Sequence, residues 1–318
     1  MPENKKNLLT IAVFATSTLM LAGCGGGGSS SDTTRSTGGT LQLDSEGYGA
    51  QKAALYTAED YDAVAASYES MNDAQVLVED VAFSLQSFST ASTGEVRAAA
   101  TETVTLGCEN PEGSVVVSAT FSETADRETY QFSNCQLPTY LLGPVVLNGR
   151  YEYAFDLSSA TALTGYDSYN ISGTVLNTGE ALALVGRQDF AMTDVSDTTS
   201  EVTFRTGSLE YRVGSNYVAF VNMVTSAMLT DTRISVTMDG SLVGSAMGGV
   251  VDISTPAAMV LPLEATCPTE GVFRFEGDGY VEVRYGMHTG TADVMTVETN
   301  SSSRIGYSDC TGADFAPL

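Results

Sequence analysis

Among side chains that do covalent or acid–base chemistry, this 318-residue sequence is rich only in carboxylates, with 39 Asp and Glu against 14 Lys and Arg, one His and no Trp. The single histidine, His288, lies in Tyr285-Gly286-Met287-His288-Thr289-Gly290, which reads as a hairpin turn. No Gly-x-Ser-x-Gly elbow, His-Glu-x-x-His pair or phosphate-binding loop accompanies it. A triad or a histidine metal centre would rest on that one residue, so an exposed turn histidine is the preferred reading. Carboxylate chemistry needs less: glycoside hydrolysis takes two acids at a suitable separation. Glu210, Asp189, Asp194 with Asp197, and Glu276 with Asp278 fall near expected strand ends and are the candidates. The lack of Trp weighs against aromatic sugar platforms, although Tyr can replace it. Calcium is the cofactor this composition best accommodates, through carboxylate and carbonyl oxygens. The loops that would hold it are Asp194-Val195-Ser196-Asp197 with Glu201, and Glu276-Gly277-Asp278-Gly279. Neither has EF-hand spacing or a repeated Gly-Asp nonapeptide, and solvated turns are the simpler reading.

Cys24 belongs to different chemistry. Lys5 and Lys6 precede an apolar run from Leu8 to Leu21 that ends in Leu21-Ala22-Gly23-Cys24. The run is too short to span a bilayer as a helix and has the layout of a signal peptide, residues 1–23. Its closing tetrapeptide resembles the lipobox of bacterial (Gram-negative) lipoproteins. That resemblance implies a covalent lipid on Cys24, which becomes the first residue of the mature chain. With Gly25 rather than Asp following, it also implies the outer membrane. Each buried methylene contributes about 0.8 kcal/mol and stable anchoring takes more than one chain, which a multiply acylated cysteine supplies. Residues 24–44 then read as a Gly/Ser-rich tether; the stretch 25–40 alone has a root-mean-square span of about 20 to 24 Å.

Four cysteines remain: Cys108, Cys135, Cys267 and Cys310. An even number in an exported chain points to disulfides, and spacing leaves three connectivities open. An internal likeness chooses among them. Cys108-Glu109-Asn110-Pro111-Glu112-Gly113 matches Cys267-Pro268-Thr269-Glu270-Gly271, and Phe132-Ser133-Asn134-Cys135 matches Tyr307-Ser308-Asp309-Cys310. The expectation is a duplicated unit, 108–135 and 267–310, each closed by its own disulfide. A zinc site would need close CxxC pairs, which are missing.

The elements that must position these residues fall in two blocks. In 45–100, Thr57-Ala58-Glu59-Asp60 offers a cap with acids in the first turn, and Tyr61, Val64, Ala65 and Tyr68 follow at helical spacing. After Asn72-Asp73, Leu77, Val78, Val81, Leu85 and Phe88 mark a second helical face. The reading is a short N-terminal helical pair packed on a β domain. From 101 to 318 the period is two, as in Tyr151-Glu152-Tyr153-Ala154-Phe155-Asp156 and Glu201-Val202-Thr203-Phe204-Arg205. The aromatic strip Tyr151, Tyr153, Phe155 reads as core. Asn148-Gly149, Asp239-Gly240 and Gly277-Asp278-Gly279 look like turns between short strands. The fold class expected is mainly β, an antiparallel sandwich or long curved sheet.

Removing residues 1–23 leaves 38 acids against 12 bases, a net charge of -26. Bases are scarce rather than acids abundant, and a nucleic-acid partner is excluded because nothing neutralises phosphates. The mature part is similar to β-rich envelope lipoproteins in layout, which carries no catalytic residue across. The expectation is an outer-membrane-anchored, non-enzymatic β domain that binds a partner or organises the envelope. The alternatives are a carboxylate-dependent hydrolase acting on polysaccharide and a carrier of an apolar ligand. Partners are therefore the membrane, through the lipid, and an envelope protein, polysaccharide or apolar molecule.

Overall fold

A computed structural model describes residues 39–57, 60–71, 74, 77 and 100–307, the last stretch with gaps at 123, 140, 158, 160, 197, 264, 266–267, 287–294 and 301–304. The period-two region forms strands β2 (Ala100–Gly107), β3 (Ser114–Phe121), β4 (Ala125–Thr139), β5 (Gly143–Leu157), β6 (Ala162–Val175), β7 (Ala181–Ser196) and β8 (Thr199–Val213). It continues through β9 (Asn216–Thr230), β10 (Arg233–Gly244), β11 (Gly249–Pro262), β12 (Glu270–Tyr285), β13 (Met295–Thr299) and β14 (Ile305–Tyr307). Each pairs with its sequence neighbours, so a single sheet follows chain order from β2 to β14 as a meander, and β1 (Ala54–Leu55), off that path, is its fourteenth strand. Of the two architectures expected, the long sheet is the one found. It is mixed rather than purely antiparallel, because β1 pairs with β12 in parallel.

Strands β4 to β9 are 14 to 16 residues long, longer than the turn signals implied. Asn148-Gly149 lies inside β5, Asp239-Gly240 inside β10 and Gly277-Asp278-Gly279 inside β12, so none of them is a turn. Two of the glycines serve bulges. Gly240 has φ +153 where β10 shifts register against β9, and Gly149 has φ +105 opposite the shift between Phe132 and Cys135 of β4. There Asn134 adopts φ +49 and donates its N–H to Asn148 Oδ1 at 2.8 Å. The extra residue bends the strand without ending it.

Alternation gives the sheet two faces. On one, Val145, Leu147, Tyr151 and Phe155 of β5 are buried, as the aromatic strip suggested. A helix over residues 60–71 covers part of this face, and we call it the helix face. Thr57 donates its N–H to Asp60 Oδ2 at 2.7 Å, the return half of a capping box. Tyr61, Val64, Tyr68 and Met71 are buried in the main core cluster, with the Tyr61 ring 6.4 Å from Phe275 and the Tyr68 ring 5.6 Å from Phe220. Among the described residues, then, the first helix of the expected pair is present. Ala74 and Leu77 are also helical and buried, and the rest of the second helical face, Val78 to Phe88, lies outside the described residues.

The opposite face carries the chain just before the helix, and we call it the strap face. Leu41, Leu43 and Tyr48 pack on Tyr217, Ala219, Val221, Val243 and Val250. The chain then passes through the sheet. Ala53 N–H donates to Val250 O at 2.9 Å, and Asp278 N–H donates to Ala53 O at 2.7 Å. β1 thus fills a fork where β11 and β12, paired at Asp252 and Glu276, part company. A Cβ at Gly277 would sit 2.1 Å from Ala53 O and one at Gly279 2.3 Å from Leu55 O, so the glycines read as a turn are what let β1 approach.

At the β2 edge, Cys108 and Cys135 form a disulfide with Cα atoms 5.3 Å apart, tying the end of β2 to β4 across β3. That fastens an edge strand, the part of an open sheet most prone to fray or mispair. Cys267 and Cys310, the second half of the expected duplication, lie outside the described residues. Among the described residues no helix is long and apolar enough to cross a membrane.

Candidate functional site

Register across β4 to β8 places one outward residue per strand in a row on the strap face: Arg127, Ala154, Tyr166, Asp189 and Arg205. The adjacent row is Ala125, Asp156, Thr164, Ala191 and Thr203. Arg127, Tyr166, Asp189 and Arg205 rise from the first row, while its Ala154 and the second row's Ala125, Thr164, Ala191 and Thr203 form a low floor interrupted by Asp156. The result is an open groove of about 790 Å³ bounded by residues of β3 to β8. With neighbouring strands about 4.8 Å apart, five steps make it about 24 Å long across the strands.

The walls are held rigidly. Arg127 Nε donates to Glu152 Oε1 at 2.8 Å and its Nη2 donates to Tyr166 Oη at 2.6 Å. Arg150 and the Tyr166 hydroxyl also donate to Glu152, so this buried carboxylate is enclosed by two guanidinium groups and a phenol. Burial pushes Glu152 up, but the hydrogen bonds from Tyr166 and Arg127 outweigh it and leave its carboxyl below the usual range. Burial and the hydrogen bond to Glu152 push the Tyr166 phenol up, so it stays a donor. Arg187 lies 3.8 Å over the Tyr166 ring and donates to Asp189 Oδ1 at 2.6 Å and 3.0 Å.

Two charged groups of the groove are uncommitted. Among the described residues, Arg205 at the β8 end and Asp156 on β5, one strand in from the β4 end of the rows, make no side-chain hydrogen bond or ion pair. The groove therefore offers a free cation and a free anion three strands, about 14 Å, apart. Between their strands lies the hydroxyl of Thr164. Such a surface offers a few polar groups over a mainly apolar lining, open along its length, which suits an extended molecule that carries both hydroxyls and apolar faces.

The acids singled out by sequence disperse over the sheet. Asp189 lies in the groove, paired with Arg187. Glu210 is one of the most buried polar residues and holds the strap: it accepts N–H bonds from Gln42 at 2.6 Å and Leu43 at 2.7 Å, and the Tyr217 hydroxyl at 3.0 Å. Asp194 accepts the Ser200 hydroxyl at 2.7 Å, Glu201 is exposed opposite Thr193, and Asp197 lies outside the described residues. Glu276 pairs with Arg274 at 3.2 Å and Asp278 accepts the Tyr56 hydroxyl, both in mid-strand. Among the described residues, no three His, Cys, Asp or Glu side chains are grouped to hold a metal ion. His288 and Cys24 lie outside the described residues.

Sequence reasoning missed Arg127, Tyr166, Arg187 and Arg205 as a group. Each is one outward residue on a separate strand, and only strand register assembles them. The one available signal is parity: alternation with the aromatic strip Tyr151, Tyr153, Phe155 puts Glu152, Ala154 and Asp156 on the opposite face, which is the face of the groove. Comparison with protein-family models, curated proteins and solved structures finds no match.

Proposed function

We propose that the chain is a lipid-anchored, non-enzymatic binding domain of the outer membrane, attached through Cys24 and engaging its ligand in the strap-face groove. The groove carries this reading: five consecutive strands build it from side chains fixed by their own ion pairs, which suits recognition by a rigid surface. Binding is favoured over hydrolysis because the most buried acids are engaged structurally, Glu210 in the strap, Glu152 between Arg127 and Arg150, and Glu282 between Arg274 and Arg284. The lipobox and tether support the anchor. A Cβ on Gly39 would lie 2.7 Å from Gly207 O, so the strap begins two residues along β8 from Arg205. The tether would then join the domain beside the groove, at a root-mean-square distance of about 20 to 24 Å from the lipidated cysteine.

Fractionation of cells carrying the native chain and Cys24→Ser tests the anchor. The native chain should sediment with outer membranes and the variant should be soluble in the same lysate. A Cys24→Ser chain that still sediments fully would refute it.

A further inference from the structure

We infer that the ligand of the groove is an extended oligosaccharide lying across the strands, one sugar unit over each; the inference rests on the binding reading above. Three features carry it. The first is spacing: the two rows repeat at the strand separation of about 4.8 Å, close to the length of one pyranose unit in an extended chain. A linear glycan along the rows would meet an equivalent position at each strand from β4 to β8, which neither a peptide strand nor an acyl chain would.

The second is chemistry. Sugar hydroxyls both donate and accept, and planar guanidinium and carboxylate groups that are already fixed bind them at low entropic cost. The groove supplies both kinds, with Arg187 and Asp189 locked to each other and Arg127 locked by Glu152. Arg205, uncommitted, is the natural seat for an acidic substituent such as a uronic carboxylate. Asp156, three strands away on β5, accepts hydroxyls.

The third is relief. Ala125, Ala154 and Ala191 keep the floor low, and Gly165 beneath it has no room for a Cβ, with Ala154 O at 2.4 Å. A floor of small residues admits a flat ring, and Tyr166 with the stacked Arg187 forms a planar wall beside it. The tether's entry near Arg205 directs the groove toward saccharide on the membrane that holds the protein, whereas free polysaccharide would share the chemistry.

The test uses the full-length mature chain purified in detergent. It is applied to an array of neutral and uronic-acid oligosaccharides, and titrated calorimetrically with saccharide released from the cell's own outer-membrane glycolipid. The expected result is binding to linear chains of several sugars, weakened at least about tenfold by Ala191→Phe, which fills the floor, and by Arg205→Ala, which exposes no core. Both variants should melt with the native protein. Tighter binding of the released saccharide than of any array member would assign the source to the membrane, and the reverse to free polysaccharide; either supports the inference. No saccharide bound in either arm, or binding unchanged in both variants, overturns it. The anchor reading is judged separately by Cys24→Ser fractionation and survives a negative array.

Discussion

Replacing Gly277 by Ala should dislodge β1 from the fork between β11 and β12. Gly277 has ordinary negative-φ geometry, so the substitution introduces a steric change without backbone strain. The added Cβ would lie 2.1 Å from Ala53 O, a backbone atom that hydrogen-bonds Asp278 N–H at 2.7 Å and cannot rotate away. Relief by local shift costs about 1 to 3 kcal/mol, the usual range for overpacking. Complete ejection of β1 sets the ceiling. It forfeits the hydrogen bonds from Ala53 N–H to Val250 O, from Val250 N–H to Gln51 O and from Asp278 N–H to Ala53 O, each contributing about 1 kcal/mol. It also exposes Leu55 and the Ala53 methyl, both 1% exposed, whose burial is worth about 2 and about 0.8 kcal/mol. The expected loss is therefore between about 1 and 6 kcal/mol. Urea unfolding followed by circular dichroism reads the loss, and hydrogen exchange of amides 51–55 locates it. Gly107→Ala, where a Cβ meets nothing within 4 Å, is the control and should change little. An unchanged midpoint for Gly277→Ala with amides 51–55 still protected would refute the threading of the chain through the sheet.

Glu210→Ala should free the strap, because the N–H groups of Gln42 and Leu43 lose their acceptor; exchange of amides 41–44 should rise sharply, and less so in Glu210→Gln, which keeps one carbonyl oxygen. The strap also responds to acid. Hydrogen bonding from Arg212 holds the Glu46 carboxyl at about 2, below its ordinary 4.5, so this clamp is intact above about pH 4.5 and is lost as pH falls toward 2. Nuclear magnetic resonance of the Tyr48 ring through that window should show loosening, and Glu46→Gln should reduce the pH dependence, leaving the part carried by Asp44 and Glu210. Reducing the Cys108–Cys135 disulfide, which closes 27 residues, should cost about 3.5 kcal/mol in the chain-entropy model, read as a lower urea midpoint with fraying confined to β2.

Periodicity made the sheet, the core aromatics of β5 and the helix from Asp60 legible, because each is a local pattern tied to one buried face. The length of the strands was not legible. Asn148-Gly149 and Asp239-Gly240 have turn chemistry, and a bulge uses the same positive-φ tolerance as a turn. Gly277 and Gly279 were read by the same rule, yet their cause is a contact with Ala53 and Leu55 more than 200 residues away in sequence. The groove was the least legible feature. Tyr166 and Arg205 come together only through the register of β6 with β7 and β7 with β8, and register is fixed by which face is buried and where bulges fall. Of the acids considered for catalysis, Glu210 holds the strap backbone, Asp189 and Glu276 pair with arginines, and Asp194 and Asp278 accept hydroxyls.

Photo-cross-linking in intact cells asks whether the groove is where this domain meets its ligand. A photoreactive residue replaces Ala191 on the groove floor, with Ser254, an outward position on β11 remote from the groove, as the control site. A carbohydrate-bearing adduct formed from position 191 in the outer-membrane fraction, and absent from position 254, is the predicted result. Equal adducts from both positions, or none from position 191, would contradict the claim.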